Sequence, residues 1–146
     1  MDIDGLLRSL NGHKARYLVI GASAFPVHGY ARATLDLDIF IEPTEENVAR
    51  VRTALTEFGY DLTDVSLDEL RTKKVLIRQY ALETDVHPFV KGVTFEDAWA
   101  RRVNDQIQGV PVAFACLDDL IRMKEAAGRP KDLEDLRVLR RLREGR

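Results

Sequence analysis

The chain has 146 residues, 45% hydrophobic and 32% charged, a balance that suits one domain with one core and excludes a disordered or fibrous polypeptide. Its 22 lysines and arginines against 24 acidic residues leave a net charge of −2, so no global field draws it onto nucleic acid or a membrane. A single cysteine excludes an intrachain disulfide, and with no signal-peptide core and no bilayer-length apolar run the expected compartment is the cytoplasm.

Residues 2–10 place Ile3, Leu6, Leu7 and Leu10 at helical spacing, and Asn11-Gly12 ends that helix. The short apolar run Tyr17-Leu18-Val19-Ile20 predicts a buried strand. Gly21 opens a tight turn, and residues 22–29 read as a short helix closed by Gly29. The run Leu35-Asp36-Leu37-Asp38-Ile39-Phe40-Ile41 alternates, with Leu35, Leu37, Ile39 and Ile41 on one strand face and Asp36 and Asp38 on the other. Thr44 then caps a helix whose acidic first turn (Glu45, Glu46) suits the dipole, and Gly59 is its stop.

Residues 61–72 are polar and weakly patterned, with a helical turn after Ser66. Strands follow at 75–80 and 82–87, the second ended by Pro88. Thr94 opens a short helix, and residues 106–112 form a hairpin turning near Gly109. Cys116, in the apolar stretch 112–117, reads as a core thiol. A helix over 117–127 ends at Gly128, and Pro130 sits just inside the start of a final helix. This order predicts an α/β or α+β fold with a mixed sheet flanked by helices.

Residues i and i+2 on a strand are roughly 6.5–7 Å apart, so Asp36 and Asp38 reach toward a common cation. Two like charges side by side on an apolar strand are unfavourable unless a partner offsets them, and a hard metal bound to phosphate does so best. Asp85 is the third candidate, sharing a face with Glu83 and His87; it joins the pair if its strand lies beside theirs. Glu83 reads as solvated and His87, a strand-end histidine before proline, as structural.

Gly21 lets the backbone turn closely, and the amides after it, with the Ser23 hydroxyl, are placed to hold phosphate. Arg32 either binds phosphate or pairs with a local acid, and His28 reads as a packed or capping residue. Lys124 and Lys131 either reach a nucleotide or pair on a helix surface. The tail from Arg129 onward is basic, either a phosphate-facing helix or a solvated amphipathic one.

The stretch Ile20-Gly21-Ala22-Ser23-Ala24, followed by His28-Gly29-Tyr30-Ala31-Arg32-Ala33-Thr34-Leu35-Asp36-Leu37-Asp38, resembles the signature of the DNA polymerase β-like nucleotidyltransferase superfamily. The resemblance is nearest to the small bacterial branch around the abortive-infection toxin nucleotidyltransferases. Gly92-Val93-Thr94-Phe95-Glu96-Asp97-Ala98-Trp99, Leu117-Asp118-Asp119-Leu120-Ile121 and the segment from Lys124 to Leu136 are also similar to it, so the likeness spans roughly residues 16–140. It implies one nucleotidyltransferase-like domain over residues 1–146, a mixed sheet flanked by helices, and Mg²⁺, or Mn²⁺ in its place, held by Asp36, Asp38 and Asp85. Asp85 would activate the acceptor, while Gly21, Ser23, Arg32 and Lys131 would contact the nucleotide phosphates. Ala22 departs from the pattern, where many active members have Gly or Ser.

The function this implies is transfer of a nucleoside monophosphate from an NTP to a hydroxyl on RNA, a protein or a small molecule, in a toxin–antitoxin or defence setting. The alternative is a catalytically degenerate module of the same fold that binds a nucleotide or a partner protein. A metal nuclease ranks last, because the Glu-x-Lys pairing it would need near the third carboxylate is missing and it would not explain the glycine turn. No membrane partner is expected.

Overall fold

Among the described residues six strands form one mixed sheet in the order β3-β4-β2-β1-β6-β5. They are β1 (Tyr17–Ile20), β2 (Asp36–Ile41), β3 (Val75–Ile77), β4 (Glu83–His87), β5 (Val103–Ile107) and β6 (Val110–Phe114). The helices are α1 (Ile3–Gly12), α2 (Glu45–Phe58), α3 (Leu67–Thr72), α4 (Phe95–Ala100), α5 (Leu117–Ala127) and α6 (Leu133–Glu144). The computed structural model describes residues 2–32, 34 and 36–146. Leu35, expected at the head of the aspartate strand, and Ala33 lie outside the described residues.

Strand β2 runs parallel to β4 and β1 runs parallel to β6, while the β1/β2, β3/β4 and β5/β6 pairs are antiparallel. All four residues of β1 are buried, as a strand in the middle of a covered sheet requires. Alternation survives in the two strands that carry the acids. In β2, Leu37 and Ile39 are buried while Asp36 is exposed and Asp38 half-buried. In β4, Thr84 and Val86 are buried between half-buried Glu83, Asp85 and His87.

The two faces are closed differently. Behind β4, Tyr60 at the end of α2 sets its hydroxyl 2.8 Å from Thr84 Oγ1 and donates to the Leu82 carbonyl at 2.7 Å. On the acid face, Phe40 meets Phe95 of α4 edge-on at 5.3 Å, so α4 covers the end of β2 away from Asp36. Ser9 Oγ donates to the Ala54 carbonyl and ties α1 to α2.

Local chemistry explains most boundaries. Thr44, Ser66 and Thr94 each accept a hydrogen bond from the amide three residues on, capping α2, α3 and α4. Gln108 and Gly109, both at positive φ, make the tight turn between β5 and β6. No helix among the described residues is long and apolar enough to cross a membrane.

Three expectations shift. Residues 22–29 form two 3-10 turns, Gly21–Ala24 and Pro26–His28, instead of one helix. Pro26 has no N–H to bond back to Ala22, so an α-helical ladder cannot cross it. Strand β3 stops at Ile77, because Gln79 and Tyr80 bind back to Asp61 and Gly59 instead of extending the ladder. Pro130 opens a separate 3-10 turn, Pro130–Asp132, that leads into α6.

Candidate functional site

The site begins where β1 ends. Ile20 pairs with Asp38 across the antiparallel β1/β2 ladder, and the chain leaves β1 through Gly21 at φ +64°. A Cβ on Gly21 would stand 2.8 Å from Asp38 Oδ2 and 3.2 Å from its Cγ. Only glycine meets both the left-handed backbone and this approach. Ser23 Oγ donates to the Asp36 carbonyl at 2.5 Å, fastening the turn to the head of β2. Thr34 Oγ1 accepts from the Asp36 amide at 3.0 Å on the other side.

The parallel register of β2 and β4 sets Asp36 opposite Glu83, Asp38 opposite Asp85 and Phe40 opposite His87. Four carboxylates therefore share one face of two neighbouring strands. Like charges directly opposite one another are destabilising, so each needs an offset. His87 Nε2 lies 2.8 Å from Asp38 Oδ1. Arg78, the first residue after β3, donates from Nη1 to Asp85 Oδ1 at 2.5 Å and sets Nε 3.1 Å from Glu83 Oε2. The hydrogen bond to Asp85 holds the guanidinium pKa above its ordinary value.

Among the described residues, ligand atoms of Asp38, Asp85 and His87 lie within 4.8 Å of one another. The Asp85 and His87 side chains are each 14% exposed and that of Asp38 is 24% exposed. Two hard carboxylates suit Mg²⁺ or Mn²⁺, and the imidazole leans the set toward Mn²⁺. The donor chemistry therefore fits a divalent cation. Asp36 stands outside this group, exposed on the same face.

Asp36 instead helps line a cleft of about 1010 Å³, together with Ser23, Arg32, Thr34, Leu82 and Gln106. The cleft thus adjoins the carboxylate cluster through β2. Arg32 reaches from its wall to Asp135 at 2.5 Å, the local-acid partner weighed for it above. Lys131 is exposed, while Lys124 is half-buried and bound to Asp132 at 3.0 Å and Asp135 at 3.4 Å. Arg129 adds a second cation to Asp132. His28 is buried, 2.9 Å from the Ala115 carbonyl through Nε2, which agrees with a packing role. Cys116 is half-buried at the start of α5, where burial pushes its thiol pKa up.

Asp38 and Asp85 thus come together beside the glycine turn, and His87 and Arg78 join them. Sequence reasoning set His87 aside, although its i+2 spacing from Asp85 on one strand face was the available signal. Arg78 gave no signal, because its role depends on where β3 ends. No curated protein matches the chain. A family model described as "Nucleotidyltransferase of unknown function (DUF6036)" matches residues 1–140. With nearly the whole chain covered by that match, and a glycine turn packed against paired carboxylates, the protein belongs to this nucleotidyltransferase family.

Proposed function

We propose that the protein transfers a nucleoside monophosphate from an NTP to a hydroxyl acceptor and is a DNA polymerase β-like enzyme near the abortive-infection toxin branch. The observation that carries this reading is the close fit of Gly21 against Asp38, directly across from Asp85. A glycine pressed onto a carboxylate is unnecessary for a structural strand end, but it brings the backbone beside the reacting phosphates.

In this reading Asp38 and Asp85 would hold the cation together with Asp36, and His87, 2.8 Å from Asp38 Oδ1 through Nε2, would fix the Asp38 carboxylate. The chemistry that bound Mg²⁺ or Mn²⁺ supplies is neutralisation of the triphosphate and of the departing pyrophosphate. Gly21 and Ser23 hold the phosphates from the turn, and Arg32 and Lys131 meet them from the cleft wall and the 3-10 turn before α6. Asp85 takes the acceptor hydroxyl proton as the acceptor oxygen bonds the α-phosphorus and the α–β anhydride bond breaks. RNA, protein and small-molecule hydroxyls are the acceptor classes, and a toxin–antitoxin or defence setting in the cytoplasm is the proposed context.

Transfer of label from α-labelled NTPs into lysate or total RNA, with Mg²⁺ or Mn²⁺, tests the proposal. Label dependent on Asp38 and Asp85 supports it, and no label with any nucleotide or metal rejects it. A second reading, a binding module without transfer, is favoured by Ala22 in the turn and by the Arg78 ion pair on Asp85. Nucleotide binding without any label transfer is its expected result.

A further inference from the structure

Arg78 touches two of the four carboxylates in the β2/β4 register, Glu83 and Asp85. Of these, Asp85 also belongs to the group with metal-ligand geometry. A guanidinium 2.5 Å from Asp85 Oδ1 and a divalent cation on the same carboxylate are two positive charges drawn to one anion, and each lowers the attraction available to the other. Arg78 also lies at the surface. Its side chain is 41% exposed, and it follows a three-residue edge strand whose continuation is held by Gln79 and Tyr80 and not by Arg78.

We propose that Arg78 and the divalent cation are competing partners of Asp85, so that Arg78 sets the metal affinity of the site and couples it to nucleotide. The inference rests on the metal-site reading above. When the cation takes Asp85, the guanidinium keeps its contact with Glu83 and a long one, 3.4 Å, to the Ile77 carbonyl. A polyphosphate beside the cluster is then its best new partner, because the forked donors match phosphate oxygens as they match a carboxylate. Nucleotide therefore draws Arg78 off Asp85 and tightens metal binding, and by reciprocity metal tightens nucleotide binding.

The experiment is Mn²⁺ titration followed by electron paramagnetic resonance of the free ion, with and without a non-hydrolysable NTP. The proteins are wild type, Arg78→Gln, Asp38→Asn and the double variant. Without nucleotide, Arg78→Gln is expected to bind Mn²⁺ about fivefold more tightly than wild type, the scale of removing one half-exposed ion pair. Nucleotide should tighten Mn²⁺ binding more in wild type than in Arg78→Gln. Equal or weaker Mn²⁺ binding by Arg78→Gln overturns the inference while leaving the metal site standing, provided Asp38→Asn still abolishes binding. If the double variant binds as well as Arg78→Gln, the metal-site reading itself fails. Should Arg78→Gln not fold, Arg78→Lys carries the comparison. It keeps the charge but cannot fork across Glu83 and Asp85, so an affinity above wild type supports the inference and an unchanged one overturns it.

Discussion

Gly21 and Asp38 leave no room for a β-carbon between them, since one built on Gly21 would stand 2.8 Å from Asp38 Oδ2. Gly21→Ala adds that clash to the cost of a positive φ. The variant should lose about 1–3 kcal/mol of stability, read as a lower urea midpoint at unchanged slope. It should also lose Mn²⁺ binding, because the carboxylate must turn aside. Wild-type stability and wild-type Mn²⁺ affinity together would show that the turn has space to spare.

Neutralising the opposed carboxylates separates ligand binding from folding. With NTP and Mg²⁺ the wild type should gain several degrees in melting temperature, by mass action on the folded state. Asp38→Asn and Asp85→Asn should lose this gain. In chelator both should melt near the wild type, because each substitution relieves a like-charge pair worth about 0.2–1 kcal/mol as it gives up a hydrogen-bonded partner. An equal ligand-induced gain in all three proteins would reject the site.

Tyr60 supports β4 from the face opposite the acids, through its hydroxyl on Thr84 and Leu82. Tyr60→Phe keeps the ring and leaves the Leu82 carbonyl without that donor. The expected cost is about 1–2 kcal/mol by chemical denaturation. Faster amide hydrogen exchange in β4 should accompany it, while β1 and β6 keep their protection. Uniform loosening across the sheet would contradict a local supporting role.

Acid should weaken the protein in two stages. Burial pushes the His28 imidazole below its ordinary 6.5. The unfolded chain therefore takes up that proton first, and stability falls as pH drops from about 6.5. Burial also pushes the Asp119 and Asp132 carboxyls up, but hydrogen bonds from Arg101, Cys116 and Arg122 on the first, and from Arg129 and Lys124 on the second, outweigh it. Both end below their ordinary 3.8. Their contribution is complete above 3.8 and disappears as pH falls through the lowered values. Urea midpoints measured from pH 8 to pH 3 should show a shallow first decline and a steeper second one. His28→Gln should remove the first alone, and an unchanged profile in that variant would assign the decline to another group.

The helices and strands were readable because their signals are local. Thr44 and Gly59 bracket α2, and Thr94 opens α4, through bonds to amides and carbonyls within a few residues. The alternation in β2 announced its acid face for the same reason. Pro26 split the helix expected between Gly21 and Gly29 into two turns, because it has no N–H to carry the ladder on. The partner of Arg32 was beyond local reach, since Asp135 lies 103 positions away on α6.

Chain order and side-chain period were enough to name the acids, the glycine turn and a mixed α/β fold, because backbone sterics and capping act between near neighbours. Only the folded sheet decided that β2 lies beside β4 in a register facing Asp38 with Asp85, that His87 enters the cluster while Asp36 lines the cleft, and that Arg78 comes back onto Glu83 and Asp85. Strand partners and register follow from how the whole core packs, and no short window of residues contains that information.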